Sequence, residues 1–395
     1  MKKENTMIVK QASRLNHVKE YYFSHKLREV GQMNADGKDV INLGIGKPDL
    51  APPAEAVTAL KNAAENDSYH GYQSYSGLPE LRKAFADWYL KYFDTTLNPA
   101  SEILPLIGSK EGIMHITMSF LEKGDQVLIP NPGYPAYESA AKLSGAESVL
   151  YNLTAENNWL PNFKELEAMD LSKVKLMWIN YPNMPTGARG NKETFEKLVA
   201  LCKENSILLC HDNPYSFILN KEQFSILSIE GAMDCCLELN SLSKSHNMSG
   251  WRVGMLGGRS DYIQTILKFK SNMDSGMFRA LQEGAIAALS MDQAWFDSLT
   301  ETYTERKVEA EKIIDLLGCS YKGDQSGMFL WAKIQDHYKD AIELADEILY
   351  GANVFITPGN IFGSNGNRYI RISLCQPSSL LAQARERIEK FKLER

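Results

Sequence analysis

Four apolar runs in the middle of the chain each break off into a turn rich in proline, glycine or reactive side chains. Gln126–Ile129 leads into Asn131-Pro132-Gly133-Tyr134-Pro135, and Val174–Ile179 into Asn180-Tyr181-Pro182-Asn183-Met184-Pro185-Thr186-Gly187. Ile207–Cys210 leads into His211-Asp212-Asn213-Pro214-Tyr215, and the run at 235–239 stops shortly before Lys244. Each run is strand-sized, and helical patterns such as Glu193–Cys202 separate them. Repeated strand-then-helix order predicts an α/β fold with a mostly parallel sheet covered on both faces. Such sheets bind ligands outside the carboxyl ends of their strands. The pattern therefore carries Tyr134, the 181–187 loop, Asp212 with Tyr215, and Lys244 to one sheet edge. Four unrelated surface turns have no reason to hold one set of reactive groups.

The flanking segments extend this plan. Val18, Tyr22, Leu27 and Val30 predict an arm and a helix within about 10–38, with Gly31 as its stop. A short strand, Val40–Leu43, precedes Gly44-Ile45-Gly46-Lys47-Pro48-Asp49, where glycine permits close backbone approach to a small ligand. Pro52-Pro53 and Pro79 each open a helix, the second with Leu81, Phe85 and Trp88 on one face. A strand at Ile103–Ile107 runs into Gly108-Ser109-Lys110-Glu111-Gly112 and then a helix. Strand, glycine turn and helix N-terminus together make an anion site, because N–H groups and the helix dipole point at the ligand. A last strand at 253–256 completes the central block.

Beyond about 290 the pattern changes to a long helix at 295–317, a strand at Gly327–Ile334 and a helix at Ala341–Leu349. A strand at Tyr369–Leu374, carrying Arg371, and a final helix after Pro377 follow. The expected organisation is an N-terminal arm and part of a small domain at 1–50, a large three-layer domain at 51–290, and the rest of the small α+β domain at 291–395.

Charge and composition narrow the partners. A net charge of −6 gives no basic excess for phosphate-backbone binding, so nucleic acid is not expected. No apolar run reaches membrane-spanning length, and no apolar signal core follows the basic Met1-Lys2-Lys3 start, so neither a membrane nor export is expected. Cys202, Cys210, Cys235, Cys236, Cys319 and Cys375 form no Cys-x-x-Cys pair. They read as reduced thiols in the cytoplasm, and no metal site is expected.

The polar stretch after the fourth run is Asn240-Ser241-Leu242-Ser243-Lys244-Ser245-His246-Asn247-Met248-Ser249-Gly250-Trp251-Arg252-Val253-Gly254. A lysine at a strand exit, with hydroxyls before it and an arginine after it, suits a phosphorylated aldehyde cofactor. This stretch, the Asp212-to-Tyr215 spacing, Pro185-Thr186-Gly187 and Arg371-Ile372-Ser373 resemble the class I/II pyridoxal-5′-phosphate-dependent aminotransferases, of PLP fold type I, nearly end to end. The resemblance implies that Lys244 holds the cofactor and moves the substrate α-proton. It implies that Asp212 pairs with the pyridine nitrogen, Tyr215 with the phenolic oxygen, and that Tyr134 stacks on the ring. Gly108, Ser109, Lys110, Ser241 and Arg252 would surround the phosphate, Lys110 through its backbone. Arg371 and the Gly46 backbone would take the substrate α-carboxylate. Tyr72 resembles the tyrosine that reaches a neighbouring subunit's phosphate, which implies a homodimer with shared active sites.

The family usually places asparagine before Pro-Thr-Gly, where this chain has Met184. Methionine donates no hydrogen bond, so either the phenolic oxygen loses a partner or a loop shift brings Asn183 into place. His211 faces away from Asp212 if both lie in a strand, and reads as a packed histidine. Arg279 reads as a helix-surface arginine. The expected function is amino-group exchange between an amino acid and a 2-oxo acid by a ping-pong mechanism. The alternatives are a C–S β-lyase on the same scaffold and a non-catalytic cofactor-sensing module. The Gly-Tyr-Pro-Ala-Tyr and Ser-Lys-Glu-Gly forms lean towards the branch containing LL-diaminopimelate and broad-specificity enzymes.

Overall fold

A computed structural model describes residues 8–18 and 22–394, so the basic start at Met1–Asn5 lies outside the described residues. Among them, the strands form three sheets. In chain order they are β1 (Ile41–Asn42), β2 (Ile103–Leu106), β3 (Gln126–Asn131), β4 (Glu147–Asn152), β5 (Val174–Ile179), β6 (Leu208–Asp212), β7 (Cys236–Ser241) and β8 (Gly254–Gly258). The remainder are β9 (Ser320–Tyr321), β10 (Phe329–Lys333), β11 (Val354–Phe355), β12 (Thr357–Pro358) and β13 (Tyr369–Ser373).

The largest sheet has seven strands in the order β2-β8-β7-β6-β5-β3-β4. From β7 to β4 the neighbours are parallel, whereas β8 runs antiparallel to both β7 and β2. Successive side chains enter separate cores, as the two-residue period of a strand requires. Val127, Leu176, Trp178, Leu208 and Leu237 pack with Ile113, Tyr137 and Ile263 of the helices Ser109–Phe120, Pro135–Ser144 and Ser260–Lys270. Their neighbours Leu128, Met177, Leu209 and Cys236 join Phe85, Trp88, Phe195 and Leu198 of the helices Pro79–Phe93 and Lys192–Glu204. Two apolar faces on one sheet demand helices on both sides, which yields the expected three layers.

The C-terminal strands form an antiparallel sheet, β12-β13-β10-β9, with Arg371 opposite both Trp331 and Thr357. A parallel pair, β1 with β11, joins Ile41 to Val354. Arg306 adds a bidentate ion pair to Asp49 at 2.6 and 2.9 Å. Together these contacts tie residues 41–49 to the C-terminal elements.

Two expectations change. Gly31 does not stop its helix, which spans Tyr22–Ala35 and closes instead at Gly37, in the left-handed region at φ +82°. Gly31 is one exposed position in a helix held by Phe23, Lys26 and Val30, which are buried. The edge strand β4 was announced only by the short run Val149–Tyr151, and only Tyr151 is buried along it. No described helix is long and apolar enough to cross a membrane.

Candidate active site

A cavity of about 430 Å³ opens along the carboxyl edge of the large sheet. Lys244 lies on its wall, in the four-residue helix Leu242–Ser245 that follows β7. Ser241 caps that helix, its Oγ accepting from the Ser243 N–H at 3.2 Å and donating to Ser243 Oγ at 2.9 Å. Lys244 Nζ donates to the Gly46 carbonyl at 2.6 Å. Burial lowers the affinity of this amine for its proton, and the charges of Arg371 and Arg252 act in the same direction. A lysine so placed releases its proton more readily than a surface lysine, as a nucleophile and base requires.

At the end of β6, Asp212 is buried. Its Oδ2 accepts from the Tyr137 hydroxyl at 2.9 Å, while Oδ1, equally buried, has no hydrogen-bond partner. Burial pushes the carboxyl up to about 6, against the opposing pull of the Tyr137 hydroxyl and His211. An unpaired carboxylate oxygen beside a cavity is a vacant acceptor for a cationic N–H donor. Tyr137 stacks on Trp178 with centroids 4.9 Å apart, which fixes the hydroxyl that holds Asp212. Tyr134, at the start of the same helix, lines the cavity edge-on to Tyr137. Tyr215 lines it too, and burial raises its phenol well above the usual range.

The Gly108 turn lies at another side of the cavity. Gly108 has φ +81°, and a Cβ there would come 2.1 Å from Arg252 Nη2. Only glycine allows this guanidinium so close to the start of the helix Ser109–Phe120. Arg252, itself at φ +58°, donates to the Ser249 carbonyl at 2.9 Å. Ser109, Lys110, Ser241, Ser243 and Ser249 share this wall, combining first-turn N–H groups, hydroxyls and a guanidinium. Lys110 is exposed.

Arg371 reaches the cavity from β13 and is 3% exposed, so it is no surface arginine. Its Nη2 donates to the Gly44 carbonyl at 2.7 Å and its Nη1 to Met184 Sδ at 3.2 Å. Gly46 also lines the cavity, and a Cβ there would meet Phe329 Cζ at 2.3 Å.

The 180–187 loop explains the place of Met184. Asn183 spends its amide inside the loop, donating to the Asn180 carbonyl at 3.1 Å and accepting from Thr186 Oγ1 at 2.7 Å. It is buried and lines no part of the cavity, so the loop shift that would substitute it for Met184 does not occur. Asn180 does line the cavity, but its amide donates to the Asp212 carbonyl and accepts from the Met184 N–H.

The structure thus brings Lys244, Asp212, Tyr215, Tyr134, Ser109, Lys110, Ser241, Arg252, Arg371 and Gly46 to one cavity, with Gly108 against Arg252. Tyr72 is not among them and is 94% exposed. His211 faces away, as the strand alternation requires, its Nε2 donating to the Tyr181 carbonyl and Nδ1 meeting Glu238 at 2.8 Å. Arg279 pairs with Glu283 and stacks on Tyr69. Sequence reasoning passed over Tyr137, Asn180, Phe23, Leu27, Phe329 and Phe362. For Tyr137 a signal existed: it lies three residues after Tyr134, one helical turn away.

This geometry has counterparts. A family model described as aminotransferase class I and II matches residues 38–388. An LL-diaminopimelate aminotransferase of Dehalococcoides mccartyi is 39% identical over 97% of this chain and 99% of its own length. Another, from Aquifex aeolicus, is 40% identical over 97% and 99%. The structure of apo-BacF from Bacillus subtilis superposes with a TM-score of 0.93 at 36% identity, covering 97% of this chain and 98% of that one. With a family match running through the elements that carry Asp212, Lys244 and Arg371, the chain belongs to the class I and II aminotransferases.

Proposed function

We propose that the protein exchanges amino groups between an L-amino acid and a 2-oxo acid by a ping-pong mechanism, using pyridoxal 5′-phosphate. The observation that carries the cofactor is the buried, unpartnered Oδ1 of Asp212, an acceptor awaiting the ring nitrogen's proton. The Gly108–Arg252 cradle suits its phosphate, and the amine of Lys244 its aldehyde. When bound, the cofactor supplies an electron-accepting ring for the pair released at the substrate α-carbon. Asp212 would hold the proton on the ring nitrogen, Tyr134 would pack on the ring and Tyr215 would donate to the phenolic oxygen. Arg371 fixes the substrate α-carboxylate in a two-pronged bond, with the Gly46 backbone opposite. That grip would orient the α-carbon so that Lys244 could take its proton.

A homodimer sharing its active sites belongs to the same proposal, supported by the exposure of Tyr72, which no contact of its own chain requires. So does a large unit at 51–290 with a small one from 1–50 and 291–395, supported by which strands share each sheet. A cytoplasmic location is supported by six buried cysteines, all of them free thiols.

Incubation with an amino acid and a panel of 2-oxo acids tests the reaction. The expected product is the amino acid matching the added oxo acid. Pyruvate and ammonia released without an acceptor would instead mark a β-lyase. A second measurement addresses Met184. Asparagine there would add a donor to the phenolic oxygen, so Met184→Asn is expected to lower the spectroscopic pKa of the bound cofactor by about one unit. An unchanged titration would sink the idea.

A further inference from the structure

Behind Asp212, on the opposite face of the large sheet, His211 enters a buried polar network. Its cross-strand neighbour is Glu238, and both side chains are fully buried. The direction of each hydrogen bond can be followed from one end. Asn240 Oδ1 accepts from the Ser241 N–H at 2.8 Å, so the Asn240 amide nitrogen donates to the Tyr89 hydroxyl oxygen at 3.3 Å. Tyr89 therefore turns its own hydrogen to Glu238 Oε1, at 2.7 Å. Glu238 Oε2 accepts from the Ile226 N–H at 2.9 Å and lies 2.8 Å from His211 Nδ1. The other ring nitrogen, Nε2, lies 3.0 Å from the Tyr181 carbonyl, which can only accept.

An imidazole that donates at both nitrogens carries two protons and a positive charge. The rival placement puts the proton on Glu238 and leaves the ring neutral. It would ask the acid's hydroxyl oxygen to donate to His211 and accept from Ile226 at once, a poorer arrangement than a carboxylate receiving both. The network thus holds an imidazolium against a carboxylate. A buried pair of this kind costs desolvation that apolar residues of similar volume avoid, so stability alone does not account for it. A use lies one residue along β6. Asp212 and His211 are neighbours on opposite faces, and the charge of His211 opposes the burial that drives the Asp212 carboxyl upwards.

We propose that His211 is a positioning residue whose charge, held by Glu238 behind the sheet, stabilises the carboxylate of Asp212 in front of it. Tyr137 fixes where that carboxylate lies, and His211 favours its ionised form. His211 itself lines no part of the cavity. The effect on Asp212 stands on the network alone; its value to the reaction rests on the transfer reading, in which a protonated ring nitrogen needs an ionised acceptor.

Removing one partner would strand a buried charge, so the test replaces both, His211→Gln together with Glu238→Gln. Glutamine at 211 can still donate to the Tyr181 carbonyl, and glutamine at 238 can still accept, while both charges go. In cofactor-free protein carrying ¹³C-labelled aspartate carboxyls, the Asp212 signal is the one that Asp212→Asn removes. Its titration midpoint, about 6 in the parent, is expected to rise by about one pH unit in the double variant. A packing role would leave the midpoint in place, and an unmoved or lowered midpoint overturns the proposal. If the double variant does not fold, the parent decides. Neutron diffraction from deuterated parent crystals at pH 6 is expected to show a deuteron on both ring nitrogens of His211, and a single one overturns the proposal. Neither measurement needs the cofactor, so failure here is separate from failure of the transfer reading, which an absence of amino transfer would overturn.

Discussion

Replacing Lys244 with alanine is expected to reduce turnover by on the order of 10⁴-fold or more. It should also leave no cofactor attached to the chain after borohydride reduction and denaturation. The size of the effect follows from the surroundings. Lys244 has no carboxylate partner; its Nζ meets a backbone carbonyl, and burial favours its neutral form. The other lining lysine, Lys110, is exposed and stands at the Gly108 turn, so it cannot stand in. The fold should survive, because the substitution removes one hydrogen bond to Gly46 and no ion pair. Turnover within tenfold of the parent would transfer the central role to another group.

Asp212→Asn is expected to act in two opposing ways. In the cofactor-free protein burial pushes the Asp212 carboxyl from the usual 3.8 up to about 6. Below about pH 4 both folded and unfolded chains hold the proton, and burial costs nothing in proton terms. As pH rises through that value the unfolded chain releases its proton first, and above about pH 6 the folded state carries the whole cost. That difference in proton affinity corresponds to about 3 kcal/mol. Asparagine never ionises, so urea unfolding should show the variant gaining on the parent by about 3 kcal/mol between pH 4 and pH 7. A pH-independent gap would remove this account of the site. With cofactor and substrate, kcat should fall roughly 10²–10³-fold, because a neutral amide cannot balance a protonated ring nitrogen. Activity within threefold of the parent would deny Asp212 that role. Instability of the free site is thus the counterpart of its use.

The parts of the site carried by strand ends were legible in the sequence. Parallel strands deliver Tyr134, Asp212 and Lys244 to one edge, and each is announced by the run before it. The Gly108 turn was legible for the same local reason, although only the coordinates show Arg252 lying against the glycine. Arg371 and Gly46 carry no local signal that they line one cavity and were placed through the family resemblance. Phe23, Leu27, Phe329 and Phe362 were out of reach, since they meet only through packing between distant parts of the chain. The strand β4 was missed because its apolar run is only three residues long at an exposed edge, and Gly31 misled because tertiary packing outweighs the roughly 1 kcal/mol helix cost of one glycine.

Arg371 bonds Gly44 across 327 residues, and that contact sets a timetable. A ribosome adding about 5–20 residues per second needs roughly 15–65 s to pass from one to the other. The strands bearing Asp212 and Lys244 emerge well before then, so on the proposed roles a nascent chain would carry the groups for the cofactor while Arg371 is still unmade. Nascent chains stopped before β13 should retain cofactor yet show no discrimination among amino acids, so that substrate choice is the last property this enzyme acquires.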